Sequence, residues 1–387
     1  MTKHDSYCNA AFAHSYADNN KYAPCCWWKI GGTHPVAKNV EEMFNSDYMK
    51  KVRKGMLDGD PLPVNCSTCK EHEDNGGKSH RLLHNEHRGF QSEPNIKTME
   101  INLGNLCNLA CIMCGSYNSS KWFTDEQALY GLRKGELLSR FNEKMINNHT
   151  DGLEKAFDIE TLSWDILKNL EGLKLAGGEI LMMPQHTQLL KKLIRTGIAK
   201  NIELMYVVNV MHDPTEFKDY WKYFKRVHIC MSIDGIGDVA EYVRYHSKWE
   251  TIEENIRKYF DLFKENDNYI LSSNTTVSMV NVAHLVDVYN YWNFLYIQHL
   301  QRLPHTEEQG MYRVLNGPEK LHIRHIPEVL RQPIIKELDT VQHLQHIAQR
   351  LRAENYTKKW KQSLDWIERL DKIRGNNFYD INPQFDS

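Results

Sequence analysis

The sequence has no long uncharged apolar run and no large excess of charge of either sign. Its mean hydropathy is -0.60, and its formal net charge at pH 7 is -2. The first six residues lack the apolar stretch of a secretory signal. These absences argue against a membrane span and give no reason to expect a nucleic-acid partner. They predict a soluble, cytoplasmic protein.

Cysteine, in contrast, is present in nine copies, and eight of them lie before residue 115. The count is odd, and no secretion signal precedes them. In a reducing cytosol, such clustering indicates ligands of a metal or a cluster rather than disulfides.

Two parts of the chain differ in their hydrophobic patterns. Residues 1–95 are rich in Cys, His, Gly and Asn, with one clear helical stretch at residues 40–57. A loop-rich segment of this kind needs another source of stability, such as a bound metal centre. From residue 97, short β-type runs alternate with amphipathic helical stretches. The runs lie at residues 98–103, 173–176, 202–209, 227–234, 270–280 and, more weakly, 294–300.

This alternation predicts an α/β fold with a parallel sheet, either open or curled into a partial barrel. Such folds place their chemistry in the loops at the carboxyl ends of the strands. Residues 117–170 form a long connection after the first run and are mostly helical by pattern. Residues 319–375 are helical and highly charged, and the tail at 376–387 is irregular.

Three cysteines follow the first of these runs with C-x3-C-x2-C spacing, namely Cys107, Cys111 and Cys114. No fourth cysteine is near, whereas a [4Fe–4S] cluster is normally held by four thiolates. Three thiolates leave one iron without a protein ligand, and a substrate or cofactor can chelate that iron. A structural zinc site is the alternative, although zinc prefers four ligands, often from two C-x2-C pairs.

The string from Glu100 to Cys114 resembles the signature of the radical S-adenosylmethionine (SAM) superfamily. The resemblance implies a partial (β/α)6 TIM-like barrel, in which SAM binds the open iron of a [4Fe–4S] cluster on the three cysteines. The reduced cluster then cleaves SAM to methionine and a 5′-deoxyadenosyl radical, which abstracts hydrogen from a substrate. Family members usually carry an aromatic residue just before the third cysteine. Met113 stands there in this chain and is expected among the cofactor contacts.

A Gly-Gly-Glu at the end of the second predicted strand resembles the family's motif for the SAM amino group. Glycine lets the backbone approach a ligand closely, and a carboxylate can accept hydrogen bonds from an ammonium group. The residues are Gly177, Gly178 and Glu179, followed by Ile180 where the family usually has proline. Such a tripeptide by itself is most often a turn between a strand and a helix.

Three further residues are implied as SAM contacts by the same resemblance. Ser232 ends the fourth predicted strand, on one face with Asp234, where relatives contact the ribose. Arg244 resembles the family's basic residue near the SAM carboxylate, and Asn209 ends the third strand. The competing interpretation of Arg244 is a solvated charge on a helix.

The remaining cysteines near the N-terminus resemble an auxiliary-cluster module of the SPASM/twitch type, placed before the core. Cys66 and Cys69 form one C-x2-C half of a site, and Cys8 with Cys25 or Cys26 would complete it. Adjacent side chains in an extended segment diverge, so Cys25 and Cys26 do not both bind one metal. Relatives place the ligand first in this pair, which favours Cys25. Zinc on four thiolates, or a cluster with only three ligands, are the alternatives.

These observations together predict three units: a SPASM/twitch-like module at residues 1–95, a radical SAM core at 96–318 and a helical extension at 319–387. The expected cofactors are SAM, its [4Fe–4S] cluster and a second, auxiliary iron–sulfur cluster. The expected partners are an electron donor such as flavodoxin or ferredoxin and a substrate that is a peptide or protein side chain, a sugar or a small metabolite. The alternative function is a non-catalytic, zinc-stabilised scaffold or binding protein.

Overall fold

The computed structural model describes residues 6–18, 21–29, 37–74, 77–131, 156–353 and 356–386. Its central element is an eight-stranded sheet with the strand order β2-β1-β3-β4-β5-β6-β7-β8. Every neighbouring pair is parallel except β1 with β2. The strands are β1 His14–Asp18, β2 Lys21–Ala23, β3 Thr98–Asn102, β4 Gly172–Ala176, β5 Glu203–Val208, β6 Arg226–Ser232, β7 Tyr269–Val277 and β8 Met311–Val314.

Helices precede, connect and follow the strands, as expected for parallel pairing, which requires crossover connections. The helices before β3 are α1 Ala10–Ala13, α2 Val40–Asn45, α3 Asp47–Asp58, α4 Ser67–Asp74 and α5 His80–Arg88. Those between β3 and β8 are α6 Trp122–Tyr130, α7 Trp164–Leu167, α8 Pro184–Arg195, α9 Lys218–Trp221, α10 Asp238–Val243, α11 Trp249–Lys264 and α12 Leu285–Leu300. The helices after β8 are α13 Glu328–Leu338, α14 Gln345–Ala353, α15 Trp360–Arg374 and α16 Phe378–Ile381.

The two faces of the sheet differ in polarity because side chains alternate along each strand. One face is apolar and fully buried, as shown by Ile101, Leu175, Tyr206, Ile229 and Leu271. The other face carries polar groups: Glu100, Lys174 and His228 lie in one register row across β3, β4 and β6. This mixed α/β architecture agrees with the predicted fold class, while curvature into a partial barrel stays a prediction.

The weak run at residues 294–300 was predicted as a strand, and this prediction is wrong. In the structure it is the last part of helix α12. The buried side chains of α12 recur at helical spacing, from Leu285 and Val288 to Trp292, Leu295 and Tyr296. The last strand of the sheet is instead β8, which has only four residues and is too short to give a clear alternating pattern.

The first 95 residues were predicted to be rich in loops, with one helical stretch, but they contain more regular structure than that. Their described part forms two strands and five helices, and β1 pairs in parallel with β3. The helix predicted at residues 40–57 is divided at Ser46, whose hydroxyl accepts a hydrogen bond from the Met49 amide at 3.2 Å and caps α3. β1 and β2 share one sheet with the strands of the proposed core, so the sheet does not itself mark a boundary at residue 95. That boundary stays a prediction.

The long connection after β3 lies partly outside the described residues, at 132–155. Its described parts contain helices α6 and α7, in agreement with the helical pattern. The extension from residue 319 is helical as predicted, but the tail contains the short helix α16 rather than only irregular structure. Among the described helices, none combines the length and the apolar character needed to cross a membrane.

Candidate functional site

The loop after β3 brings the three cysteines of the C-x3-C-x2-C motif together at the carboxyl end of the sheet. Cys107 and Cys111 are buried, and Cys114 is half-buried. Met113 and Met211 pack against this group. Met113 therefore lies beside the cysteines, and its contact with a cofactor stays a prediction. Met211 follows β5 and was not predicted, because no pattern marks a lone methionine in a loop.

The three thiols lie close enough to change one another's ionisation. The Cys114 thiol donates a hydrogen bond to Cys111, which lowers the pKa of Cys111 to about 7 and raises that of Cys114. The guanidinium of Arg244 also lowers the pKa of Cys111. Burial raises the pKa of Cys107 to about 11. The loop therefore favours a thiolate at Cys111, and the thiolate is the form of cysteine that binds metals.

The turn after β4 lies directly against the cysteine loop and requires glycine at two positions. Gly177 has a φ of +148°, and a Cβ there would lie 2.8 Å from the Gly104 carbonyl oxygen. A Cβ on Gly178 would lie only 2.3 Å from the carbonyl oxygen of Leu106, next to the first cysteine. The two glycines thus allow the ends of β3 and β4 to approach each other at backbone distance.

Gly178→Ala is accordingly expected to lower the free energy of unfolding by about 2–3 kcal/mol, because backbone atoms that cannot rotate away must shift. Urea unfolding monitored by circular dichroism measures this change. Gly317→Ala is the matched control, since a Cβ there meets no atom within 4 Å. Equal stabilities of the two variants would contradict the packing described for Gly178.

Glu179 is fully buried and joins the ends of β4 and β5. One carboxylate oxygen accepts a hydrogen bond from the Leu181 amide at 3.2 Å, and the other accepts one from the Asn209 amide at 2.7 Å. Burial raises the pKa of Glu179 to about 7 despite these two hydrogen bonds. The carboxylate therefore orders the backbone around the site, and its contact with a SAM ammonium group stays a prediction.

The raised pKa of Glu179 predicts a pH-dependent contribution to stability. Between the ordinary pKa of 4.5 and about 7, the folded chain holds a proton that the unfolded chain releases, so stability falls as pH rises. Glu179→Gln removes this dependence. The stability of the variant relative to the wild type should therefore increase by up to about 3 kcal/mol across this window. Urea unfolding of both proteins at a series of pH values, without SAM, measures the difference. A difference that does not change with pH would contradict the prediction.

Asn209 connects this turn to the first cysteine. Its side-chain amide donates to the Asn108 side chain at 2.7 Å and lies 3.9 Å from the Cys107 sulfur. Its own side-chain oxygen accepts a hydrogen bond from the Met211 amide at 3.0 Å. Asn209 therefore lies at the site, where it touches the cysteine loop directly.

Arg244 reaches the site because the segment around it pairs with the cysteine loop. The amides of Ala110 and Ile112 donate to the carbonyl oxygens of Tyr245 and Val243 at 3.0 Å and 2.8 Å. Arg244 lies between these two carbonyls, and its side chain is only 8% exposed. The interpretation of Arg244 as a solvated helix charge is therefore wrong.

The Arg244 guanidinium forms a buried ion pair with Asp234 at 2.5 Å. Asp234 also accepts a hydrogen bond from the Thr276 amide at 2.7 Å. The Nε atom of Arg244 is buried and has no hydrogen-bond partner among the described residues. Ser232, the last residue of β6, is half-buried on the polar face of the sheet. The structure thus places all seven predicted SAM contacts around the carboxyl ends of β3 to β6.

A second group of thiols lines one pocket in the N-terminal part of the chain. The pocket is lined by Cys8, Cys25, Cys66 and Cys69, together with aromatic and basic side chains that include Trp27, His80, His84 and Arg81. Burial raises the pKa of each of the four thiols, and the charges of Cys8, Cys66 and Cys69 raise that of Cys25 further. These four are the cysteines that the sequence singled out for an auxiliary centre.

Cys26 is not among the residues that line this pocket. Its thiol donates a hydrogen bond to the Glu100 carboxylate on the polar face of the sheet, and burial raises its pKa to about 12. Glu100 is also paired with Lys174 at 3.0 Å. The structure therefore separates the adjacent cysteines, with Cys25 facing the other thiols and Cys26 facing the sheet.

In the described part of the chain, no group of three or more His, Cys, Asp or Glu side chains is arranged so that it could hold a metal ion. The donor chemistry nevertheless fits an iron–sulfur cluster with one open iron. Three interacting thiols are adjacent to a buried guanidinium whose Nε has no partner in the part of the chain that the structure describes. Soft thiolates select iron–sulfur clusters or zinc, and an unpaired buried N–H donor fits an anionic group of a ligand.

No family model matches the sequence, and no curated protein does. Fifteen chains of solved structures match this structure. One is anSMEcpe with bound AdoMet and a Cp18Cys peptide, with 15% identity and a TM-score of 0.37, over 64% of this chain and 60% of that chain. Another is SuiB of Streptococcus suis bound to S-adenosylmethionine, with 11% identity and a TM-score of 0.33. This match covers 80% of this chain and 60% of SuiB.

A third similar structure is TYW1 with a lysine–pyruvate adduct, with 13% identity and a TM-score of 0.29, over 63% of this chain and 71% of that chain. This chain thus spans about 60% of the length of anSMEcpe and SuiB. TM-scores below 0.5 do not establish a shared fold. The assignment of function therefore depends on the residues of the site.

Proposed function

We propose that this chain is a radical SAM enzyme that holds a [4Fe–4S] cluster on Cys107, Cys111 and Cys114. The observation that supports this most directly is the meeting of three thiols, without a fourth, at the carboxyl end of a parallel sheet. With SAM on the open iron, the cluster would supply a 5′-deoxyadenosyl radical for hydrogen abstraction.

The residues around the thiols would bind and orient SAM. Gly177 and Gly178 let the turn after β4 pack against the backbone of the cysteine loop, which holds the two segments of the site together. Arg244 offers a buried positive charge, and its Nε has no hydrogen-bond partner among the described residues. A guanidinium is suited to a carboxylate because it presents several donors in a planar fork. Ser232 and Asn209 offer polar side chains at the ends of β6 and β5.

The substrate would lie against the polar face of the sheet, next to the cysteine loop. Glu100, Lys174 and His228 lie on this face, and His228 is hydrogen-bonded to Ser272 at 2.7 Å. Charged and hydrogen-bonding groups favour a polar substrate, because such a substrate can form hydrogen bonds with them that an apolar one cannot. A peptide or protein side chain, a sugar and a small polar metabolite all satisfy this requirement.

The pocket formed by Cys8, Cys25, Cys66 and Cys69 would hold an auxiliary iron–sulfur cluster. Four thiols complete the ligand set of a cubane, so this centre would have no open iron for SAM. Its proposed roles are electron transfer and stabilisation of the N-terminal segment. Reduced flavodoxin or ferredoxin is the proposed source of the electron for SAM cleavage.

Anaerobic reconstitution with iron and sulfide tests the proposal. The expected protein is brown, contains about eight irons per chain if both centres are cubanes, and forms 5′-deoxyadenosine from SAM after reduction. A colourless protein that retains zinc and does not cleave SAM would instead support a zinc-stabilised scaffold. Metal analysis of the protein as purified, before reconstitution, distinguishes native zinc from zinc acquired later.

A further inference from the structure

The carbonyl groups of residues 109–111, inside the cysteine motif, are each bound by a side chain from elsewhere in the chain. In order, they accept hydrogen bonds from the Ser119 hydroxyl at 2.5 Å, the Arg374 guanidinium at 2.7 Å and the Trp122 indole at 2.6 Å. Ser119 and Trp122 belong to the same loop and the helix that follows it. Arg374, in contrast, lies 264 residues beyond its partner Ala110, at the end of α15.

Arg374 is held in place on every side. Its side chain is 1% exposed and forms an ion pair with Asp125, with N–O distances of 2.7 Å and 3.0 Å. The guanidinium lies 4.7 Å from the ring centroid of Trp122 and 4.5 Å from that of Tyr245. A buried guanidinium of this kind is costly unless all of its donors have partners. The contacts therefore specify one position for Arg374 and for the carbonyl that it binds.

Binding of these carbonyls fixes the backbone between the first two cysteines. The amide of Leu109, within this segment, points to the Cys107 sulfur at 3.5 Å. An unbound loop of this length would have to be ordered when the cluster binds, at a cost in conformational entropy. Arg374 supplies a charge-assisted hydrogen bond to the middle carbonyl of the three.

We propose that Arg374 is a positioning residue for the cysteine loop, and that the C-terminal extension is therefore part of the SAM-binding centre. This inference rests on the proposed function, because it concerns the cluster that the loop would hold. A role limited to anchoring α15 would affect the stability of the fold but not the spectrum of the cluster or its response to SAM.

The experiment compares Arg374→Ala and Arg374→Lys in the full-length, reconstituted protein. Lys372→Ala is the matched control, because Lys372 is an exposed residue of the same helix. The readouts are the electron paramagnetic resonance spectrum of the reduced cluster, with and without SAM, and SAM binding by equilibrium dialysis. Circular dichroism establishes that each variant is folded. Asp125→Asn, which keeps the shape but removes the charge partner, serves if Arg374→Ala does not fold.

Arg374→Ala should reduce the SAM-dependent part of the spectrum and weaken SAM binding at least about fivefold, as expected for loss of a charge-assisted hydrogen bond. Arg374→Lys should recover part of the response, because it keeps the charge without the planar fork. Lys372→Ala should match the wild type. A folded Arg374→Ala, or Asp125→Asn in its place, with a wild-type spectrum and SAM affinity would overturn the inference. A wild-type protein without a SAM-responsive cluster would instead refute the proposed function.

Discussion

Replacing Cys107, Cys111 or Cys114 by alanine is expected to abolish reductive cleavage of SAM. Each variant would leave two thiolates for the first cluster, and two are too few to hold a cubane with one open iron. The other cysteines of the chain lie on different elements, four of them in the N-terminal pocket, so none is placed to replace the missing thiol. Formation of 5′-deoxyadenosine, measured by chromatography after reduction, should fall to the level of the reaction without enzyme.

Cys230→Ala provides the control for this series. Cys230 is also a buried thiol, but it lies on β6 and hydrogen-bonds to Ser272 rather than to the cysteine loop. Its variant should retain wild-type cleavage if it folds. Undiminished cleavage in any one of the three loop variants would remove the basis for the proposed cluster site.

Replacing both Cys66 and Cys69 by alanine is expected to remove the auxiliary centre but to leave SAM cleavage intact. The pocket would keep only Cys8 and Cys25, so iron should fall from about eight to about four per chain. The residues proposed to bind SAM lie on other elements, at the ends of β3 to β6. Iron and sulfide analysis, with 5′-deoxyadenosine formation in the same preparation, measures both effects.

Cys26→Ala is the matched control, because Cys26 adjoins a proposed ligand in sequence but does not line the pocket. It should keep about eight irons per chain if both centres are cubanes. Loss of iron in Cys26→Ala to the same extent as in the double variant would contradict the assignment of Cys25. Loss of SAM binding in a folded Cys66/Cys69 variant would show that the two centres do not function separately.

The parts of the site that could be predicted from the sequence are motifs whose residues lie close together along the chain. The cysteine triad, the Gly-Gly-Glu turn and the Ser-x-Asp-Gly segment each follow a hydrophobic run, and parallel strands bring such positions to one edge. Alternation along a strand also predicts that Ser232 and Asp234 share a face; β6 ends at Ser232, so this stays a prediction. The role of these residues in binding SAM stays a prediction.

The contacts that the sequence could not indicate are those between distant residues. Arg374 and Asp125 are separated by 249 positions, and nothing in the sequence indicates that these two charged residues pair with each other. Arg244 was ambiguous for the same reason, since only its pairing with the cysteine loop buries it. The pairing of β1 with β3 joins segments about 84 residues apart, and the polar, loop-like composition of the N-terminal part concealed it.

The Arg374 contact also has a consequence for synthesis of the protein. The cysteine motif leaves the ribosome 264 residues before its partner at the end of α15. At about 5–20 residues per second, roughly 10–50 s separate the two events. During that interval the thiols are exposed on a loop whose middle carbonyl has no permanent partner. Insertion of the cluster is therefore expected to follow synthesis of α15 rather than to precede it.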